Sequence, residues 1–227
     1  MTTPATDLLA FERALLARGD VVVGVDEVGR GALAGPLTVG AVVLSRVASP
    51  PIGLNDSKLL SAERRESLVR PLMSWADDWS LGSVSAEEID GWGLRLALAV
   101  AATRAVNGLR VRPTHALIDG SFNLLCAPLD VAFGAAAPPE LHYRTLEATT
   151  VVKGDRRCAT IAAASVLAKV HRDRIMTDLD NEYRGYGWAR NKGYGSQAHL
   201  AALRQLGPNA YHRRSWRLPD VIVDDNA

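Results

Sequence analysis

The chain has 227 residues, 48% hydrophobic and 22% charged, which is ordinary for a globular protein and enough for the core of one large domain. No apolar run is long enough for a membrane span: Leu94 to Val106 is interrupted by Arg95, Thr103 and Arg104. The first 20 residues carry acids where a signal peptide needs a basic start and an apolar centre, and Cys126 and Cys158 have no metal-type spacing. A cytoplasmic protein without a disulfide framework or zinc site is expected.

In chain order, residues 1–20 read as a short amphipathic helix before the first strand. Val21 to Val25 reads as a buried strand, because β-branched residues fit a pleat packed on both faces. It delivers Asp26 and Glu27 and breaks into Gly29-Arg30-Gly31. Successive strand side chains point to opposite faces, so the two acids share a site only where the backbone begins to turn. Burying them is costly unless a cation or another partner satisfies them. A hairpin with solvated acids is the competing account. The glycines suggest close backbone approach, and Arg30 offers a planar donor for phosphate. Val39 to Leu44, after Gly35-Pro36, is the expected antiparallel neighbour.

Pro50 to Gly53 signals a loop and Asn55-Asp56-Ser57 a turn; Ser61 caps a helix over Ala62 to Trp75. Lys58, near that helix start, is a candidate for a phosphate contact, although taken alone it reads as an ordinary surface lysine. Residues 78–84 alternate as a third strand. Ser85 and Glu88 form a capping box opening a long helix to about Asn107, with Leu94, Leu98, Ala101, Ala102, Ala105 and Leu109 on its buried face. His115 to Ile118 is a short strand ending on Asp119-Gly120. Residues 121–146 read mainly as loop, and Glu147 to Val152 as the last strand. Asp155 then stands near the start of a long helix to about Tyr183, where a simple N-cap is its bland role. Asp173, flanked by Arg172 and Arg174, reads as a surface ion-pair member. The order β-β-α-β-α-β-α, with room for one more strand, predicts an α/β sheet containing an antiparallel hairpin.

Two features point to function. Asp26, Glu27, Asp119 and Asp155 all fall at ends of predicted core elements. If their strands are neighbours, the acids converge and repel unless divalent cations neutralise them, and all-oxygen ligation suits magnesium or manganese. Two such ions serve phosphodiester hydrolysis, so a metal-dependent nuclease is the reading of the residues. The second feature is charge asymmetry. The net charge is only +1, yet Tyr183 to Pro219 holds seven Lys or Arg and no acid. Interleaved are Tyr183, Tyr186, Trp188, Tyr194, Tyr211 and Trp216, a composition suited to a polyanion with flat faces. A basic surface over a few core aromatics is the alternative.

GVDEVGRGALAGP, NDSK at 55–58, LIDG at 117–120, VKGD followed by AAASVLAKVHRDR, and NKGYG at 191–195 resemble the ribonuclease HII family in order and spacing over nearly the whole chain. The resemblance implies a ribonuclease H-like fold: a central mixed sheet with flanking helices and a C-terminal helical extension. A catalytic domain over 1–183 and a basic extension and tail over 184–227 are expected. It also implies hydrolysis of the RNA strand of RNA/DNA hybrids and cutting 5′ of single ribonucleotides in duplex DNA, leaving 3′-hydroxyl and 5′-phosphate ends. Asp26, Glu27, Asp119 and Asp155 match the family's acids for two Mn2+ or Mg2+ ions. Gly29, Arg30 and Gly31 match its contact to the 2′-hydroxyl, Tyr194 the tyrosine stacking on a sugar, and Lys58 falls in a motif facing the phosphate backbone. Leu59 stands where the family commonly has a second lysine; Val28 and Ala32 replace alanine and proline; Arg157-Cys158 follows a less typical version of the last motif. These departures bear on affinity rather than activity. A monomer is expected, and contact with a replication clamp is left open. Alternatives are another metal-dependent nuclease of this fold, such as a resolvase or ribonuclease HIII, or a non-catalytic nucleic-acid-binding module. Only 25 residues precede Asp26, too few for the extra N-terminal domain of ribonuclease HIII.

Overall fold

The computed structural model describes residues 7–125 and 146–221. Much of the expected 121–146 loop, Cys126 and the acidic tail lie outside the described residues. The elements are α1 (Ala10–Leu16), β1 (Val22–Val28), β2 (Leu37–Leu44), α2 (Ala62–Trp75), β3 (Asp78–Val84), α3 (Ala86–Trp92), α4 (Leu94–Asn107), β4 (His115–Asp119), β5 (Glu147–Val151), α5 (Ala159–Glu182), α6 (Trp188–Asn191) and α7 (Gln197–Leu206). Among the described residues no helix is long and apolar enough to cross a membrane.

The strands form one mixed sheet, β3-β2-β1-β4-β5. The hairpin β1–β2 is antiparallel, with Val22 opposite Leu44 and Val28 opposite Thr38, while β4 and β5 run parallel to β1. Alternation sends Val23 and Val25 into a core with α4, and Val22 into a second one with α1 and α5. The first half of helix α5, residues 159–168, is buried on every face because it lies flush on the sheet. A Cβ on Gly24 would meet the Thr160 backbone at 2.2 Å, and one on Gly40 the Ala164 carbonyl oxygen at 2.5 Å. Only glycine permits that approach.

Several expectations change. Strand β1 breaks at Gly29 as expected, but the acids lie within its paired length rather than in a turn, Asp26 opposite Gly40 and Glu27 opposite Val39. What stops is pairing with β4, whose last partners are Val25 and Ile118. The expected single helix to Asn107 divides at Gly93, whose φ of +76° cannot continue a helix; the predicted capping box opens only α3. Asp155 is not an N-cap, because it lies in a 3-10 turn, Gly154–Arg156, and α5 starts after Cys158. The first turn of α5 is instead capped from α1. Glu12, fully buried, accepts from the Thr160 amide at 2.8 Å and its hydroxyl at 2.9 Å. Asp173 pairs with Lys169 at 2.7 Å and Arg65 at 3.8 Å, whereas Arg172 is fully buried.

The aromatic segment is also corrected. Tyr186 and Trp188 are buried, their rings stacked at 5.0 Å, and Tyr183 and Tyr211 pack against the same cluster with Met176, Leu179 and Leu203. Trp188 donates from its indole to His199 Nε2 at 3.1 Å, which meets His212 Nε2 at 3.1 Å. These rings are a core, so composition overstated the stacking surface.

Candidate active site

The acids lie at the C-terminal ends of the parallel strands, the edge where open α/β sheets bind ligands. Asp26 and Glu27 follow the last β1–β4 pair and point to opposite faces. Asp119 ends β4 beside Val151 of β5, and the turn after β5 returns Asp155. That turn and Asp119 are tied together, because the Gly154 amide donates to Asp119 Oδ1 at 2.6 Å. Asp119 is the link: its charge acts on Asp26, on Glu27 and on Asp155.

Asp26 is 3% exposed. Burial first, then the charges of Asp119 and Glu27, pushes its carboxyl up to about 8 against an opposing hydrogen bond from Ser165. Glu27 is raised by burial, opposed by Arg30 at 3.5 Å; Asp155 is raised by burial and by Asp119, opposed by Lys58 at 3.3 Å. Lys58 was expected to face phosphate; its ammonium rests on a carboxylate. Among the described residues no three acid, thiol or imidazole groups are gathered tightly enough to hold an ion by themselves. The fit to a divalent cation is chemical: an all-oxygen, mutually repelling set that already draws Lys58 and Arg30.

A cavity of about 390 Å3 is lined by Glu27, Val28, Gly29, Arg30, Gly31, Ser57, Lys58, Lys169 and Tyr194. All five residues expected to contact substrate therefore share one cavity with one of the acids. A second, of about 600 Å3, is lined by Glu27, Arg30, Arg95, Asp119 and Phe122 among others, so Glu27 and Arg30 border both. The two glycines differ. Gly29 has φ +83°, and a Cβ there would strike Arg172 Nε at 2.2 Å; a Cβ on Gly31 would meet nothing within 4 Å. At Gly31 the missing side chain leaves room for something approaching from outside. Tyr194, 38% exposed, is the accessible ring of its segment, with the Arg172 guanidinium 5.5 Å from its centroid.

Sequence reasoning missed Ser165, which meets Asp26 and lies 2.8 Å from the Ser57 hydroxyl. Its signal was a hydroxyl in an otherwise apolar AAASVLA run. It also missed Asp56, whose Oδ2 accepts from Arg156 at 2.9 Å beside Asp155. Arg172 and Arg213 passed for surface cations, because nothing local marks a buried arginine.

The family model described as Ribonuclease HII matches residues 23–218. Ribonuclease HII of Streptomyces avermitilis is 44% identical over 213 residues, 93% of this chain and 84% of that protein; that of Roseobacter denitrificans is 49% identical over 196 residues, 86% and 89%. Among solved structures, ribonuclease H2 of Pyrococcus horikoshii OT3 is similar at TM-score 0.64 and 30% identity, covering 86% of this chain and 93% of that one. Two further structures are alike in fold. The PCNA:RNase HII complex of Archaeoglobus fulgidus has TM-score 0.67 and 24% identity, covering 90% of this chain and 99% of that one. Bst-RNase HIII in complex with Mn2+ has 0.60 and 18%, covering 94% and 71%.

Proposed function

The chain belongs to the ribonuclease HII family, metal-dependent endonucleases acting on RNA/DNA hybrids, and from that premise we propose that it also cuts 5′ of single ribonucleotides embedded in duplex DNA. The observation that carries this reading is the shared cavity, in which a glycine-lined loop, three cations and an exposed tyrosine adjoin an acid of the cluster. A phosphodiester beside a ribose enters with its 2′-hydroxyl against the Gly29–Gly31 backbone, where glycine admits the sugar closely. Arg30 and Lys58 hold the flanking phosphates, Lys58 exchanging Asp155 for phosphate, and Tyr194 stacks on the sugar beyond the cut. Asp26, Glu27, Asp119 and Asp155 are the metal-binding acids, with Asp26 and Asp119 at the centre. Two bound magnesium or manganese ions would supply an activated water and charge neutralisation at the departing 3′-oxygen. Ser165 orients the Asp26 carboxylate, and the Gly154 amide fixes Asp119.

The division at residue 183 into catalytic domain and extension, action as a monomer in the cytoplasm, and a sliding-clamp contact like that of the Archaeoglobus fulgidus protein belong to the same proposal. The test is cleavage of a labelled DNA duplex with one ribonucleotide, beside an all-DNA duplex, in magnesium, manganese or chelator. Metal-dependent cutting 5′ of the ribonucleotide alone supports the reading. Equal cutting of all-DNA sinks the 2′-hydroxyl role, and tight binding without cutting favours a binding module.

A further inference from the structure

Arg172 on α5 and Arg213 after α7 are both fully buried, yet among the described residues neither lies within ion-pair distance of a carboxylate. Most of their donors go to the main chain of one loop. Arg213 donates to the carbonyls of Gly29 at 2.6 Å, Arg30 at 2.9 Å and Gly35 at 3.1 Å. Arg172 donates to those of Pro36 at 2.7 Å and Ala34 at 3.0 Å, and to Lys192 at 2.8 Å. The Arg213 amide also donates to the Leu33 carbonyl at 2.9 Å. Most carbonyls from residue 29 to 36 are thus drawn inward.

The amides of Arg30 and Gly31 behave differently. Among the described residues neither donates to a protein acceptor, and both residues line the cavity. With Gly31 bare of neighbours at its Cβ position, the loop presents unspent N–H donors toward that space. A peptide whose carbonyls are held on one side turns its amides to the other, and unpaired amides are strong donors to an incoming oxygen. Burial depresses the Arg213 guanidinium to about 10, so it stays charged at neutral pH.

We propose that Arg172 and Arg213 are positioning residues for ribose recognition: by holding the 29–36 carbonyls inward they aim the Arg30 and Gly31 amides at the substrate sugar. The C-terminal segment then shapes the reader as well as adding charge. This rests on the reading of Gly29–Gly31 given above. The geometry also separates the two arginines from the acids: among the described residues Glu27 pairs with Arg30 and Asp155 with Lys58, not with either buried arginine.

The experiment compares the wild-type protein with Arg213→Lys and Arg172→Lys, which keep the charge but lose the fork that serves several carbonyls at once. Leu72→Ala, a cavity in a separate core that contains no residue of the loop, controls for destabilisation alone. Single-turnover cleavage of the single-ribonucleotide duplex is read at saturating enzyme, with manganese half-saturation, all-DNA duplex binding and deuterium exchange of peptides over 29–36. The lysine variants should cut about tenfold more slowly and exchange faster in the loop, with metal half-saturation and DNA binding within about twofold of wild type. Folded lysine variants with wild-type rates overturn the proposal, as does an equal loss in Leu72→Ala. If a lysine variant does not fold, the other arginine and the exchange measurement decide. If wild type itself cuts the all-DNA duplex equally, the 2′-hydroxyl reading has failed, an outcome distinct from insensitivity to these arginines.

Discussion

Asp26 and Asp155 are exposed by 3% and 4%, Arg172 and Arg213 by 0%, so the chain hides two acids and two bases to nearly the same depth. They are satisfied in opposite ways. The guanidinium groups are surrounded by carbonyl oxygens from their own chain. The carboxylates are each raised by burial and by the charge of Asp119, and draw on Lys58, whose side chain is 74% exposed. Charge that is hydrogen-bonded to the chain's own carbonyls holds the architecture in place. Charge left poorly paired is an energetic deficit that an arriving cation relieves.

The sharpest way to break this contrast is Asp26→Asn. It should lower cleavage at least ~10³-fold while sparing duplex binding. An acid whose folded pKa is raised from 3.8 to about 8 costs stability once pH exceeds the unfolded value, and the cost grows until pH passes the folded one. The amide should therefore melt higher than metal-free wild type at pH 8, and lose the rise in Tm that manganese gives wild type. Retained turnover would remove Asp26 from the site.

Next comes the C-terminal core. Trp188→Ala should cost about 3–5 kcal/mol by denaturant titration, since the ring is fully buried. At temperatures where the variant stays folded, the salt dependence of duplex binding should not change. A reduced salt slope would restore the surface reading of that aromatic. Tyr194→Ala tests the opposite case: a loss of about 1–3 kcal/mol in transition-state stabilisation at the ribonucleotide, with little change in Tm. Unchanged rates would take Tyr194 out of the site.

The histidine pair carries a pH signature. Burial, reinforced by His199, holds His212 down to about 4 from 6.5, and burial lowers His199 as well. The unfolded chain takes up protons first as pH falls. The stability these neutral rings contribute is complete above about pH 7 and is lost between 6.5 and about 4. His212→Gln should flatten that stretch of the Tm–pH curve; an unaltered profile counts against a buried neutral pair. The smallest effect is Leu59→Lys, whose side chain is already 60% exposed and which would supply the family's second lysine. It should tighten duplex binding a few-fold and steepen the salt slope by about one, read by titration across ionic strength.

Much of this was legible locally. β-branched runs marked the strands, Ser61 marked the start of α2, and the four acids stood out by falling where core elements end. What was not legible depends on contacts distant in sequence. That β1 runs past Val25 follows from its partner β2 rather than from its own residues. Glu12 caps a helix 148 positions away, a role no local spacing betrays. Tyr186 and Trp188 carry the same composition signal as Tyr194, and only packing separates core from surface. The expectation of ribose specificity came from the family motifs alone, since neither charge nor periodicity contains it.

The contact between Arg213 and Gly29 joins positions 184 apart, so the loop that follows β1 takes its final shape from a residue translated long after it. Loop closure over such a span is among the slowest events in folding, and during synthesis it waits for residue 213 to leave the ribosome. A nascent or prematurely terminated chain would already carry Asp26, Glu27, Asp119 and Asp155 without the finished edge of its substrate loop. Coupling that loop to residue 213 means that β1 and its carboxylates are in place before the backbone beside them is held.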